Sequence, residues 1–269
     1  MTHPTADRLA AAVGRAPART GAFRPGEGAF IRGRPLHEAC ADGSWFGLAL
    51  LALTGRRFAA AEVALLETLC TYTSYPDARL WNNRVAALAG SARAPAGLAL
   101  GAAVAVSDAY LYGGRPILEC YDFLAAHARL DDVALAAAVE AHWRAGRRLG
   151  GYGRPITADD ERIAPLLAAA GRLGLGGGEH LAATGRIERI LLAGGRGLKR
   201  NYAAIVAAVC LDLGLSRAAC EAFVAILFVA AMPAVWCDAA EARPAGGLLP
   251  IPTSLLAYEG PPPRRWTPP

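Results

Sequence analysis

Glycine and proline cut this chain into a succession of short alanine- and leucine-rich runs, and little else separates one run from the next. Alanine, leucine and arginine favour helix, whereas glycine and proline end it. The pattern therefore predicts a nearly all-helical globule with short connections. A helix should begin around Ser44 and stop at Thr54-Gly55, where glycine suits a helix C-terminus. Ala59 to about Thr71 forms the next, and Tyr75-Pro76-Asp77 breaks the pattern. Arg79 to Leu88 follows, with Trp81, Val85 and Leu88 at helical spacing. Leu98 to Val106 is a small-residue helix, Gly113-Gly114 interrupts, and Pro116 to Ala126 resumes. Asp131 to Arg147 is amphipathic; Arg162 to Leu173, Ile187 to Leu192, Asn201 to Leu213 and Arg217 to Val235 complete the set. Ala29 to Leu36 reads as a brief extended piece closed by a turn, and no interior strand is expected.

At 269 residues the chain is long enough for one large or two modest domains with a buried core. Its net charge of +5 comes from arginines scattered along the length beside a single lysine, Lys199. That spread lacks the clustered basic stripe of a nucleic-acid binder, so no nucleic-acid partner is expected. Six cysteines, far apart and without CxxC spacing, suggest neither a zinc site nor a disulfide framework; four lie in apolar helical runs as small buried hydrophobes. Residues 1 to 20 read as a loose arm or short amphipathic helix with no signal-peptide run. The longest apolar stretch, Ala222 to Trp236, is short for a membrane span and contains Pro233. These features point to a cytoplasmic protein without a membrane partner. The end of the chain changes character: proline is dense from Leu249 to Thr253 and again near Pro261, which fits an extended arm anchored by Trp266, either a frayed terminus or a strap on a partner subunit.

One stretch is built differently from the rest. Gly150 to Arg162 holds three glycines and a proline, which forbid a regular element, and then Thr157, Asp159, Asp160 and Glu161 open a helix in acid-first style. Glycines let a backbone approach a ligand closely, and the first N–H groups of a helix attract anions. A ligand loop and a plain connector both fit.

Several segments, taken in order, resemble the citrate synthase superfamily, most of all its short citryl-CoA lyase-type members. Phe30-Ile31-Arg32-Gly33-Arg34-Pro35-Leu36 is similar to the family's opening hairpin, and Leu50 to Gly55 to its first helix ending in Leu-Thr-Gly. Asn83-Arg84-Val85-Ala86 falls where the family has Ala-Arg-Val-Val, and Leu111-Tyr112-Gly113-Gly114 where it has Leu-His-Gly-Gly. Gly151-Tyr152-Gly153-Arg154-Pro155 resembles Gly-Phe-Gly-His-Pro, with Arg162 at the arginine of the following Asp-Pro-Arg. Asn201-Tyr202-Ala203 stands for Asn-Val-Asp, and Tyr258-Glu259-Gly260-Pro261-Pro262 resembles the closing Tyr-Val-Gly-Pro-Pro.

The resemblance implies an all-α, citrate synthase-like dimer with a large helical domain and a smaller helical lobe. It implies a flexible arm over 1–20, a first part of the large domain over 21–129, a small lobe with the ligand loop over 130–220, and the rest of the large domain with an extended tail over 221–269. Dimer packing through helices near Leu48–Leu53, Arg79–Leu88, Leu98–Val106 and Ala222–Val235 comes with it. So does acyl-CoA carbon–carbon chemistry, in which a carboxylate takes a proton, one histidine stabilises the enolate and a second assists attack on a keto acid.

Residue by residue, that machinery does not carry over. The carboxylate position is Ala203, the enolate-stabilising histidine is Tyr112, the second histidine is Arg154 and a further substrate histidine is Ser74. Two arginine positions fall on Phe228 and Thr253; Arg162 is kept, while His3, His37, His127, His142 and His180 all lie elsewhere. Ordinary citrate synthesis is not expected of such a set. Tyr112 and Arg154, polar donors that need partners, are the candidate catalytic groups; Arg162, Ser74 and Asn201 are candidate substrate ligands, and Gly151 and Gly153 line the CoA-facing loop. No metal and no tightly bound cofactor is implied, with a CoA thioester as substrate. Two readings stand: an enzyme with altered chemistry on an acyl-CoA or small carboxylate, or an inactive homologue serving as scaffold or regulator. The partner subunit would be an identical chain or an active paralogue.

Overall fold

The computed structural model describes residues 4–14, 18–154, 157, 159–242, 252–262 and 264. Trp266, Pro155 and the Leu249–Ile251 part of the proposed arm lie outside the described residues. Helix α1 (Pro4–Ala12) precedes a small antiparallel meander of β1 (Gly21–Arg24), β2 (Gly28–Ile31) and β3 (Arg34–Pro35), with Ala22 opposite Phe30 and Ile31 opposite Arg34. Among the described residues the regular elements after it are helices: α2 (Leu36–Ala39), α3 (Trp45–Thr54), α4 (Ala60–Thr73), α5 (Trp81–Ser91), α6 (Ala96–Ser107), α7 (Arg115–His127), α8 (Asp132–Arg144), α9 (Ile163–Arg172), α10 (Glu179–Ala193), α11 (Tyr202–Asp212), α12 (Arg217–Ile226) and α13 (Met232–Glu241). The all-helical expectation holds, and the extended piece at Ala29–Leu36 is the inner part of the meander.

Local chemistry sets several of the boundaries. In α3 the Ser44 hydroxyl accepts the Gly47 N–H at 2.9 Å, and Gly55 closes the helix in the left-handed region at φ 75°. Asp131 caps α8 in the same way through the Ala134 N–H at 2.8 Å. Two expected spans are corrected. The run from Arg217 to Val235 is not one helix: a 3-10 turn at Val229–Ala231 divides α12 from α13, and Pro233 sits in the first turn of α13, where a missing N–H costs nothing. The helix expected over Ile187–Leu192 runs from Glu179 to Ala193. Its start is fixed from a distance, since the Asp212 carboxylate at the end of α11 accepts the backbone N–H groups of both His180 and Leu181 at 2.9 Å. The same carboxylate bonds the His180 ring at 2.7 Å, and Gly178 is needed beside it because a Cβ there would lie 2.0 Å from its Oδ2.

The chain divides into two compact units, residues 1–73 with 108–227, and residues 74–107 with 228–269. The segment 130–220 expected as a lobe lies wholly within the first. In that unit α11 is the central helix, with every residue from Ala204 to Cys210 buried, and α7 and α10 pack against it. A helix buried on all sides carries no polar stripe, and α11 has none until Asp212. Tyr121 of α7 reaches the Leu215 carbonyl at 2.7 Å, so its phenol is satisfied inside the core. In the second unit α5, α6 and α13 pack on one another around Ala86, Ala87, Ala103, Met232 and Val235. Small residues permit the close approach: a Cβ on Gly90 would meet the Trp236 carbonyl oxygen at 2.5 Å. Cys120, Cys210 and Cys220 are buried as expected, Cys70 is half-buried, and Cys237 is exposed. The run Arg217–Glu241, longer than the apolar stretch read from the sequence, has a span-like mean hydropathy of 2.1 over a window that is 44% buried inside the protein.

Replacing Asp212 with alanine removes three bonds at the start of α10 and leaves two backbone donors to find water. Asp212→Ala should lower unfolding stability by about 2 kcal/mol, read as a shifted urea midpoint. An unchanged midpoint would mean that α10 does not depend on this distant cap.

Candidate functional site

The glycine loop is stitched to the residues that open α11. Gly153 N–H donates to the Lys199 carbonyl at 2.7 Å, Asn201 N–H donates to the Gly151 carbonyl at 2.8 Å, and Tyr152 pairs with Arg200 between them in an isolated antiparallel bridge. Gly151 and Gly153 both have positive φ, 85° and 83°. At Gly151 a side chain is also excluded by space, since a Cβ would meet the Ala204 backbone nitrogen at 2.8 Å, whereas at Gly153 it would meet only the movable Leu198 Cδ2 at 2.9 Å. The close approach that glycine allows at Gly151 is to the protein's own helix α11.

Asn201 joins the two segments again. Its amide nitrogen donates to the Gly153 carbonyl at 2.7 Å, and its side-chain oxygen caps α11 by accepting the Ala203 N–H at 2.9 Å. Ala203, half-buried, thus occupies the first turn of α11, and the next residue, Ala204, is the one that faces Gly151.

Asp160 is the hub. Its side chain is fully buried, and its two oxygens accept Arg162 Nε and Nη2 at 2.8 and 2.7 Å in a two-pronged ion pair. Oδ2 also accepts the Tyr202 N–H at 2.8 Å, so a carboxylate of the chain itself sits on the N-terminus of α11. Burial pushes the Asp160 pKa up, but the Arg162 bonds and charge, with the Tyr202 and Arg162 N–H groups, outweigh it and hold the group below its ordinary 3.8. Arg162 in turn lies 4.6 Å from the centre of the Tyr202 ring, whose hydroxyl donates to the Leu69 carbonyl. Burial drives the Tyr202 and Tyr152 phenols well above their ordinary value of 10, so both stay protonated donors.

Arg154 turns onto the same acidic run. It bonds the Glu161 carboxylate at 2.5 Å and the Asp159 carbonyl at 3.0 Å, and stands 3.7 Å from Asp160. Lys199 meets Asp159 at 2.5 Å. Arg200 meets Glu188 at 3.5 Å and bonds Thr184 at 3.2 Å. Four cations, Arg154, Arg162, Lys199 and Arg200, face four carboxylates, Asp159, Asp160, Glu161 and Glu188.

The structure therefore brings together Gly151, Gly153, Arg154, Arg162, Asn201 and Ala203. Tyr112, on the loop before α7, is 60% exposed and adopts a left-handed backbone at φ 63°, unusual for a bulky residue. Among the described residues no hydrogen bond links it to that group. Asp108, four residues earlier, pairs with Arg115 at 2.6 Å. Ser74 is half-buried and belongs to the second compact unit. Sequence reading missed the central role of Asp160, which reads as one more acid at a helix start. The usable signal was its position two residues before an arginine.

No family profile and no curated protein sequence matches the chain. Solved structures do. Citryl-CoA lyase from Hydrogenobacter thermophilus superposes with a TM-score of 0.83 at 18% identity, over 94% of this chain and 98% of that one. Methanosaeta concilii ATP citrate lyase, in complex with (3S)-citryl-CoA, gives 0.74 at 17%, over 97% of this chain but 45% of its own. Thermoplasma acidophilum citrate synthase, in a ternary complex with carboxymethyl coenzyme A and oxaloacetate, gives 0.65 at 18%, over 84% and 59%. The chain has the citrate synthase fold, and in extent it corresponds to the lyase; it spans about half the length of the two larger enzymes.

Because the Asp160 pKa is depressed in the folded state, its stabilisation is complete above the unfolded value and is lost as pH falls through the folded one. Asp160→Asn should cost about 2 kcal/mol at neutral pH, reduced from a fully buried pair because Arg162 keeps some solvent. It should also flatten the loss of stability below about pH 4 in urea titrations. A variant with wild-type stability and an unaltered acid limb would remove Asp160 from its place at the hub.

Proposed function

We propose that this protein binds an acyl-CoA or a small carboxylate within the citrate synthase fold, and does not perform ordinary citrate synthesis. The observation that supports this most is Ala203, a half-buried methyl group in the first turn of α11, where the resemblance puts a proton-abstracting carboxylate. Chemistry that needs no such base stays open to it: an enolate formed by carbon–carbon cleavage or decarboxylation needs a donor for its oxygen, and a phenol serves. Tyr112 is that donor in this reading, while Arg154 grips the ligand and Arg162 and Asn201 steady the loop. A CoA thioester is then the substrate, as the ligands named for the two larger neighbours suggest. The protein would act in the cytoplasm, as a dimer of identical chains or with an active paralogue.

A second reading, a non-catalytic scaffold or regulator, draws on one specific observation: Arg154 and Arg162 are already engaged by Glu161 and Asp160. A ligand carboxylate at Arg154 would share the guanidinium with Glu161, which holds its Nη1.

Melting with acetyl-CoA, CoA, citrate and oxaloacetate separates the two. A ligand at a hundredfold its Kd stabilises the folded state by about 2.7 kcal/mol. At least one of these should raise the Tm, Arg154→Ala should weaken that ligand about tenfold, and Tyr112→Phe should lower turnover more than affinity. If none shifts the Tm, the scaffold reading replaces the enzyme. Condensation of acetyl-CoA with oxaloacetate at citrate synthase rates would overturn both.

A further inference from the structure

The meander has two unlike edges. At one of them β3 is only two residues long, its Pro35 has no N–H to offer, and α2 follows at once. At the other lies β1, four exposed residues, Gly21-Ala22-Phe23-Arg24, paired with β2 in continuous register and without a bulge. A further strand can therefore join this sheet only beside β1.

The hydrogen-bond pattern decides which groups that edge presents. Arg32 N–H donates to the Thr20 carbonyl at 2.7 Å, so Thr20 faces β2. Residues of an antiparallel strand face their partner alternately, so Ala22 and Arg24 face β2 as well. Gly21 and Phe23 turn their N–H and C=O groups outward, and no described residue bonds to them there. Phe23 is also 73% exposed, a large apolar side chain at the rim of the sheet.

A second copy of β1 fits this edge by symmetry. An antiparallel two-fold through Ala22 sets Gly21 of each copy against Phe23 of the other, and both pairs are of the hydrogen-bonded kind. Each Phe23 ring then lies opposite a glycine, where no side chain competes for the space. Ala22 meets its own counterpart at the axis, and a methyl group suits the closer spacing of a non-hydrogen-bonded pair. The charges agree with this register. Arg24, held by Glu27 at 3.2 Å and lying 5.2 Å from the centre of the Phe30 ring, stands opposite Thr20. Arg19 of one copy comes beside the turn that carries Glu27 of the other, so no cation meets a cation across the join.

We propose that β1 is a self-association edge, at which two copies of this chain join their three-stranded meanders into one continuous antiparallel sheet. The contact is separate from the glycine loop and from any dimer packed through helices, and it does not rest on the function proposed above. Four residues on each side cover much less than the roughly 800 Å2 per partner of a stable complex, so the contact is weak, with a Kd of about 0.1 mM. It acts when the chain is concentrated, or when copies are already held together through another face.

Sedimentation velocity of the full chain between about 5 µM and about 1 mM tests it. The wild type should convert to a species of twice the mass, with a midpoint near 0.1 mM. Phe23→Lys should raise that midpoint at least about tenfold while the melting curve stays that of the wild type, because the side chain is exposed in the single chain. The register is read by disulfide trapping in a Cys237→Ser background, which removes the exposed native thiol. Ala22→Cys should cross-link two chains under mild oxidation, since its counterpart lies directly across the axis. Thr20→Cys should not, since its counterpart is about 14 Å away along the strands. A mass that stays constant over the range would leave the edge to solvent or to another protein's strand, and would overturn self-pairing. So would association that Phe23→Lys leaves unchanged, or cross-linking of Ala22→Cys no faster than that of Thr20→Cys.

Discussion

A carboxylate shut away from water has to be matched where it sits, and in this protein Asp160 is that group. Its oxygens are met by the Arg162 fork and by the first N–H of α11, the most buried helix of its unit. Taking such a charge out of water costs several kcal/mol, and only good geometry offsets it. The geometry here depends on both neighbours: α11 must start at Tyr202, and α9 must start just after Arg162. Asp160 thus ties the opening of two helices to one atom pair, and the glycine loop between Gly150 and Arg154 is positioned by what lies on either side of it.

That arrangement bears on chemistry. The N-terminus of a core helix is a natural place for an anion, and the protein has filled it with its own. Around it, cations and carboxylates are equal in number. A site of this kind is electrostatically quiet. The likeness to citryl-CoA lyase and citrate synthase at under 20% identity is a likeness of helices and their order; side-chain chemistry varies freely on such a frame.

Much of the frame was legible in the sequence because helices announce their ends locally. Ser44 with Gly55 brackets α3, and Asp131 opens α8, each through a bond spanning three or four residues. The extent of α10 was not legible, since its cap, Asp212, is more than thirty residues away along the chain. Nor was the division of α12 from α13, where the apolar pattern runs on across a 3-10 turn. Of the residues singled out in the sequence, Gly151, Gly153, Arg154, Arg162, Asn201 and Ala203 lie on segments that the fold joins. Their partners were hidden, because ion pairs such as Lys199 with Asp159 join segments that no local period connects. The preference of Gly151 for positive φ could be read as making room for a ligand; only coordinates reveal that Ala204 takes the room.

The two backbone bonds that bind residues 151–153 to residues 199–201 give the loop a shared fate with the helix that follows. A hinge needs backbone that can turn without breaking what holds it, and this segment has given that freedom up. The loop can swing only by unpicking the start of the unit's central helix. Any large motion within this unit must therefore be carried by other segments, with the glycine run staying fixed to α11.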